Sequence, residues 1–237
     1  MASSSSSVAS YPHRSLRITV ALLAILYGVG TWGMLSVHRP RFIALSCVNL
    51  LFTAGLLLWN ARRFTSRGAL AFALAAVGGF LIEWLGVSTG WPFGAYTYTD
   101  HLGPRWYGVP FVIGLNWAVL THATQASLTQ ALDAPSVANQ KHGSIGPWLR
   151  SALGATLMTA FDGLMEPAAI ALRFWVWNGG HVPTANYAAW WVISFILLRL
   201  GLALNPGLRN PAAPWVLGIQ ALFFGFVGIE AMIANPP

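Results

Sequence analysis

Seven apolar runs, each about as long as a bilayer is thick, leave this chain few ways to fold. They lie near 16–37, 42–60, 69–88, 109–130, 148–171, 188–204 and 213–234. A hydrocarbon core of about 30 Å needs roughly 20 such residues in a spanning helix. Charged side chains make up only 8% of the sequence, against about a quarter in soluble domains, too few to coat a water-facing surface. A membrane barrel would alternate apolar and polar residues over about ten positions, and unbroken runs exclude that. The expectation is an all-α, polytopic integral membrane helix bundle of about seven transmembrane helices. It forms one domain over 16–237, with a Ser-rich tail, 1–15, expected to be disordered. Arg14 and Arg17 ahead of the first run imitate a signal peptide. The run is long enough to span and no small-residue cleavage pattern closes it, so it is read as the first membrane helix.

The net charge of +7 would suggest nucleic acid in a soluble protein. Here the basic residues gather at helix ends, where they anchor a membrane protein, and no nucleic-acid partner is expected. Arg14, Arg17, Arg62, Arg63, Arg67, Lys141, Arg150 and Arg209 fall on one side of the predicted topology, and Arg39, Arg41, Arg105 and Arg173 on the other. Positive residues favour the cytoplasmic side, which puts the N-terminus inside and the C-terminus outside. The single cysteine, Cys47, can build neither a disulfide framework nor a thiolate metal site.

Two connectors stand out from the apolar background. "TGWPFGAYTYTDHLGPRWYGVP" (Thr89–Pro110) joins the third and fourth runs, and "FWVWNGGHVPTANYAAWW" (Phe174–Trp191) joins the fifth and sixth. Both therefore lie on one face of the bundle, the outer one in this topology. Each carries two rings at i and i+2, "YTY" and "WVW", and each follows a Val-Pro with an Asn and a Trp. The spacings differ, so an origin by duplication stays open. Two similar aromatic lids over one face is the firmer statement.

Four of the six acids fall inside predicted spans: Glu83, Asp162, Glu166 and Glu230. Ionisable groups at membrane depth are costly and usually face the bundle interior, which makes them candidate functional groups. Asp162 and Glu166 stand one turn apart on one helical face. At 1.5 Å per residue, Glu83 and Glu166 lie roughly 6–8 Å from the lid end of their helices, Asp162 roughly 12–14 Å and Asn116 about 10 Å. They share one slab beneath the lids. Two nearby carboxyls in low dielectric cannot both ionise cheaply, so one is expected to keep its proton. A protonated carboxyl beside an ionised one is the pair that general acid and base chemistry requires. The structural alternative pairs these acids with Arg173, or with backbone freed where Pro167 removes the hydrogen bond to the Gly163 carbonyl. Glu230 reads as interfacial, and Trp106, Trp148 and Trp215 as membrane-belt residues. Trp91, Tyr96, Tyr98, Trp175 and Trp177 are held over the acids, where aromatic faces can stabilise a cation. The six histidines lack i, i+4 ligand spacing, so no metal centre is expected. His122 reads as hydrogen-bonded within the bundle. The only lysine, Lys141, is in a loop, which rules out a retinal Schiff base in a span. No Asp-rich diphosphate motif, phosphate-cradling Gly loop or nucleophile–His–acid set is present either.

The run from Glu83 to Trp117 resembles the membrane carotenoid-biosynthesis family that includes carotenoid 1′,2′-hydratases and bisanhydrobacterioruberin hydratase. The matching positions are Glu83, Thr89, Gly90, Pro92, Phe93, Gly94, Tyr96, Tyr98, Leu102, Gly103, Gly108, Val109, Pro110 and Trp117. A second, looser block comprises Asp162, Glu166-Pro167, Trp175, Trp177, Val182-Pro183 and Asn186. The family pattern more often has Asp before that Pro, and Gly where this chain has His181; both departures bear on substrate preference. The resemblance implies cofactor-free addition of water to the terminal C=C of an acyclic (ψ) carotenoid end, in a bacterial or archaeal cell membrane. Asp162, Glu166 and Glu83 would be the catalytic acids. Trp91, Phe93, Tyr96, Tyr98, Asn116, Trp117, Trp175, Trp177 and Asn186 would face the substrate. A carotenoid, membrane lipid and other carotenoid-biosynthesis enzymes are the partners implied. The competing readings are a carotenoid cyclase working through the same cation, a lipid-binding protein or transporter using the acids as a proton relay, and a non-catalytic scaffold.

Overall fold

The structure, a computed structural model, describes residues 13–62, 64–133 and 145–234. Most of the expected Ser-rich tail, together with Arg63 and Lys141 of the charge bias, lies outside the described residues. Residues 13–15 of that tail are the start of the first helix. Eight helices are described: α1 (His13–Met34), α2 (Arg39–Ala44), α3 (Ser46–Trp59), α4 (Ser66–Thr89), α5 (Phe111–Leu132), α6 (Pro147–Ala171), α7 (Thr184–Leu204) and α8 (Ala213–Ala234). Between them lie four short strands, β1 (Tyr96–Tyr98), β2 (Arg105–Trp106), β3 (Val109–Pro110) and β4 (Trp175–Trp177).

The bundle is a membrane protein's. α1, α4, α7 and α8 are each long and apolar enough to cross a bilayer, and they turn large apolar side chains such as Leu81, Ile196, Leu222 and Ile229 outward. α5 and α6 are as long, at 22 and 25 residues, but they carry the polar side chains that the other helices enclose. The apolar run at 42–60 does not make one helix. It breaks at Leu45, whose N–H bonds to the Phe42 carbonyl at 3.1 Å, a tightened last turn that ends α2 before α3 begins. Among the described residues the spans that meet the length and hydropathy requirement outright are thus four, with α3 a shorter apolar helix.

α5 is the hub, buried on nearly every face and packed on α3, α4, α6, α7 and α8. Small residues permit the close approaches, as is usual where lipid provides no hydrophobic drive between helices. A Cβ at Gly114 of α5 would sit 2.6 Å from the Ala76 carbonyl of α4. One at Gly79 would overlap the Trp117 indole. Helix starts on the lid face are fixed by proline: Pro110 precedes α5 and Pro183 precedes α7, both in extended backbone. The two Val-Pro echoes in the sequence are thus equivalent helix starts. α4 ends on Gly90 in the left-handed conformation (φ 76°), with its N–H returned to the Gly86 carbonyl, a role glycine fills without strain.

Candidate active site

The two lids are one structure. β1 pairs antiparallel with β4, with Tyr96 opposite Trp177 and Tyr98 opposite Trp175. Side chains alternate across a strand, so all four rings turn to the same face, and all four are buried, while Thr97 and Val176 point away. Further bonds extend the join. Asn178 N–H donates to the Ala95 carbonyl at 3.0 Å and Thr99 N–H to the Phe174 carbonyl at 3.1 Å. Gly94, at φ 110°, lies flat on Pro183, where a Cβ would come within 2.6 Å of the ring.

Each strand's rings grip the glutamate of the helix that precedes them. Glu83 of α4 accepts from the Tyr96 and Tyr98 hydroxyls on Oε2, the latter at 2.8 Å, and from Trp117 Nε1 on Oε1 at 2.9 Å. Glu166 of α6 accepts from Trp175 Nε1 at 3.0 Å and Trp177 Nε1 at 3.1 Å, both on Oε2. Asp162, one turn below on α6, accepts from Asn186 Nδ2 on Oδ2 at 2.7 Å. The three carboxyls are buried, at 4%, 3% and 1% exposure. The ion pairs among the described residues, Arg105 with Asp100 and Arg150 with Asp133, involve none of them. The expected alternative of pairing with Arg173 is not realised there. Instead Arg173 terminates α6 at φ 56°, and its carbonyl accepts from Thr99 Oγ1 at 2.5 Å.

The carboxyls meet in a cavity of about 30 Å³, lined also by Phe93, the four lid rings, Asn186 and Trp190. That is room for about one water molecule. Among the described residues, one oxygen of Asp162 and one of Glu166 accept no hydrogen bond, and neither oxygen is sealed by packing. Both therefore open on this space. Tyr96 and Tyr98 are held well above the ordinary phenol value, first by burial and then by the Glu83 carboxyl beside them. They remain O–H donors across the physiological range. Among the described residues no group of three His, Cys, Asp or Glu side chains is placed to hold a metal ion.

The fold thus gathers Glu83, Asp162, Glu166, Phe93, Tyr96, Tyr98, Trp175, Trp177 and Asn186 around one space. Three other candidates sit elsewhere. Trp117 lies behind Glu83, bonded to it and 1% exposed. Asn116, its neighbour on α5, faces an adjoining apolar groove. Trp91 is 65% exposed on the outside of the lid, because the turn after Gly90 carries it away from the bundle. Trp190 was not anticipated. It lines the cavity and stacks on Trp117 at 4.1 Å between ring centroids. Its signal was its place one helical turn after Asn186, on the same face of α7. Glu230 is exposed near the end of α8, away from the cavity.

Residues 44–233 match the family described as carotenoid biosynthesis protein. Among curated proteins, the bisanhydrobacterioruberin hydratase of Haloarcula japonica is 33% identical over 128 residues, covering 52% of this chain and 41% of that protein. The chain thus spans less than half the length of this relative. No solved structure matches. With four-fifths of its length in that match and both lid motifs built around one cavity, the chain belongs to the carotenoid biosynthesis protein family.

Proposed function

We propose that the protein is a carotenoid hydratase, adding water across the terminal C=C of an acyclic ψ end group to give a tertiary alcohol. One observation carries the proposal: three carboxyls without ion-pair partners share a buried, water-sized cavity walled by aromatic rings. The named activity of the Haloarcula relative agrees with it.

The hydrogen-bond inventory suggests how the roles divide. Glu83 receives three N–H or O–H donors, the solvation an ionised carboxylate needs when buried. Asp162 receives one neutral amide donor and is the least compensated, so it is the carboxyl that carries the proton. Its O–H delivers that proton to the terminal alkene carbon bearing fewer substituents, leaving a tertiary cation. The rings of Tyr98, Trp175 and Trp177 face that charge, and the Glu83 carboxylate stands behind the phenols. Water in the cavity forms the C–O bond and gives up a proton to the free oxygen of Glu166. Transfer from Glu166 back to Asp162 restores the starting state. The atoms balance with water alone, so no cofactor is needed. Phe93 and Asn186 shape the pocket. The partners in this reading are the carotenoid and the surrounding lipid, and the Lys and Arg distribution supports a cytoplasmic N-terminus with the lids on the far side.

Expression in a host that accumulates lycopene tests this. The expected product is heavier by one water per modified end. A ring product of unchanged mass would instead mean that the cation loses a proton, as in a cyclase. Unaltered pigment beside a well-folded protein would overturn both readings.

A further inference from the structure

Trp190 and Trp191 are neighbours on α7 with opposite surroundings. Trp191 is 37% exposed on the outside of the bundle, and its Nε1 donates to Thr156 Oγ1 at 3.1 Å. Trp190 is 6% exposed and lines the carboxyl cavity. A buried tryptophan normally spends its N–H on a partner. Of the ring donors that line this cavity, Tyr96 and Tyr98 are committed to Glu83, and Trp175 and Trp177 to Glu166. Trp190 Nε1 donates to nothing among the described residues, and packing does not seal it. Its N–H therefore opens on the same space as the spare carboxyl oxygens.

The direction of this N–H is fixed from behind. Trp190 lies nearly flat on Trp117, with 4.1 Å between ring centroids and 22° between the planes. Trp117 is itself held. Its Nε1 donates to Glu83 Oε1 at 2.9 Å, and its side chain occupies the space that a Cβ on Gly79 would take. An indole N–H lies in the plane of its ring, so a ring held flat has its donor aimed. The cavity of about 30 Å³ thus presents one donor, Trp190, and two acceptors, the open oxygens of Asp162 and Glu166. A buried water needs about two to four such partners.

We infer that Trp190 Nε1 holds the water that is added, and that this contact decides the fate of the cation. The inference rests on the hydratase proposal and names the group that makes its outcome hydration. Once Asp162 has given its proton to the alkene, both hydrogens of the water have acceptors, the open oxygens of Asp162 and Glu166. One lone pair accepts from Trp190. The other is uncommitted, and it forms the C–O bond while a water proton passes to Glu166. The indole keeps its own hydrogen throughout, so the balance of atoms is unchanged. Without that donor the water turns freely, and the cation loses a proton to a carboxyl before the oxygen is aligned. Misplacing a reacting group by about 1 Å can cost about a hundredfold in rate.

The test follows both fates at once, with the full-length protein in phosphatidylcholine nanodiscs, lycopene as substrate and deuterium oxide as solvent. The acid then delivers deuterium. A captured cation appears as deuterated alcohol, and a released one as deuterium in the recovered or isomerised alkene. Trp190→Phe keeps a ring against Trp117 and removes the N–H. Benzothienylalanine at position 190, with sulfur in place of N–H, removes only the donor and keeps the shape. Both replacements should lower alcohol formation and raise the ratio of exchange to hydration by roughly tenfold or more. A residue that only supports the fold would lower both fates together. An unchanged ratio, or wild-type hydration in the benzothienylalanine protein, would therefore overturn the inference. The contact can also be read without turnover, from the NMR signal of the labelled indole that Trp190→Phe removes. That N–H should show a cross-peak to water, and its absence would overturn the water assignment. A cross-peak in wild-type protein that gives neither alcohol nor exchange would leave the bound water standing. It would defeat the hydratase proposal, and the role in capture with it.

Discussion

Of the polar clusters buried among the described residues, two stand at opposite ends of the bundle and are satisfied in opposite ways. At the end away from the lids, His122 is wedged edge-on between Phe64 and Phe72, each 5.8 Å away, and meets Asn210 at 3.2 Å. Around it the side-chain amides donate to backbone carbonyls: Asn210 to Leu57 at 2.7 Å, Gln125 to Asn205 at 2.8 Å, and Gln130 to Asn210 at 2.9 Å. These bonds close the chain reversal between α7 and α8, and the space left is about 10 Å³. At the lid end the acceptors are carboxylates and the donors are ring N–H and O–H groups from a two-stranded lid. Spare oxygens there look into a cavity three times larger. An amide closed on a carbonyl holds a fold. A carboxyl with acceptor capacity to spare, beside room for water, is placed for chemistry.

The sharpest way to break this contrast is to remove charge at the lid end. Asp162→Asn and Glu166→Gln keep size and a hydrogen-bonding group, so the helices should form as before. Each should lower hydration by roughly a hundred- to ten-thousand-fold, the usual contribution of a positioned acid or base. Product formation per folded molecule is the measurement. Wild-type rates in both variants would mean that the cavity is not the reacting centre.

The opposite cluster should respond in the opposite sense. Asn210→Ala removes three hydrogen bonds from a fully buried position, taking the Asn210 partner from His122 and the side-chain acceptor from the Ala212 N–H, and leaving the Leu57 carbonyl only the Asn60 N–H. A loss of about 1–3 kcal/mol in stability is expected, with activity per folded molecule retained. Thermal unfolding in detergent beside the hydration assay separates the two. Lost activity in a fully stable variant would show that the two ends are coupled.

Much of the lid-end cluster was legible because helix rise fixes depth. Glu83, Asp162 and Glu166 could be assigned to one slab from residue counts alone, and the i, i+4 spacing put two of them on one face. Rotation about a helix axis is not fixed by counting, which is why Asn116 was expected in the cavity and faces the groove instead. Nor does the sequence disclose that "YTY" pairs with "WVW". The strands are three residues long, lie 77 positions apart, and have no local signal for register. The groove depends on α1 and α3 standing apart, a matter of packing between helices rather than of any one segment. The break at Leu45 escaped because the residues on both sides of it are apolar and helix-compatible.

The smallest expected effect concerns what keeps the lid shut. Tyr96 and Tyr98 both donate to Glu83 and are held above the ordinary phenol value chiefly by burial, with the Glu83 carboxyl adding to it. A raised phenol value means that the folded protein keeps a proton which the unfolded chain gives up from about pH 10. The stabilisation is thus complete below that pH and is lost as pH rises toward the folded-state value. Phenolate absorbance should therefore show Tyr96 and Tyr98 titrating only as helical structure and lid pairing are lost. In the Tyr96→Phe, Tyr98→Phe double variant this alkaline destabilisation should flatten, while Glu83 retains only its Trp117 donor. If the two phenols instead ionise in an intact bundle, the lid end is open to solvent. The contrast with the sealed cluster around His122 would then rest on the carboxyls alone.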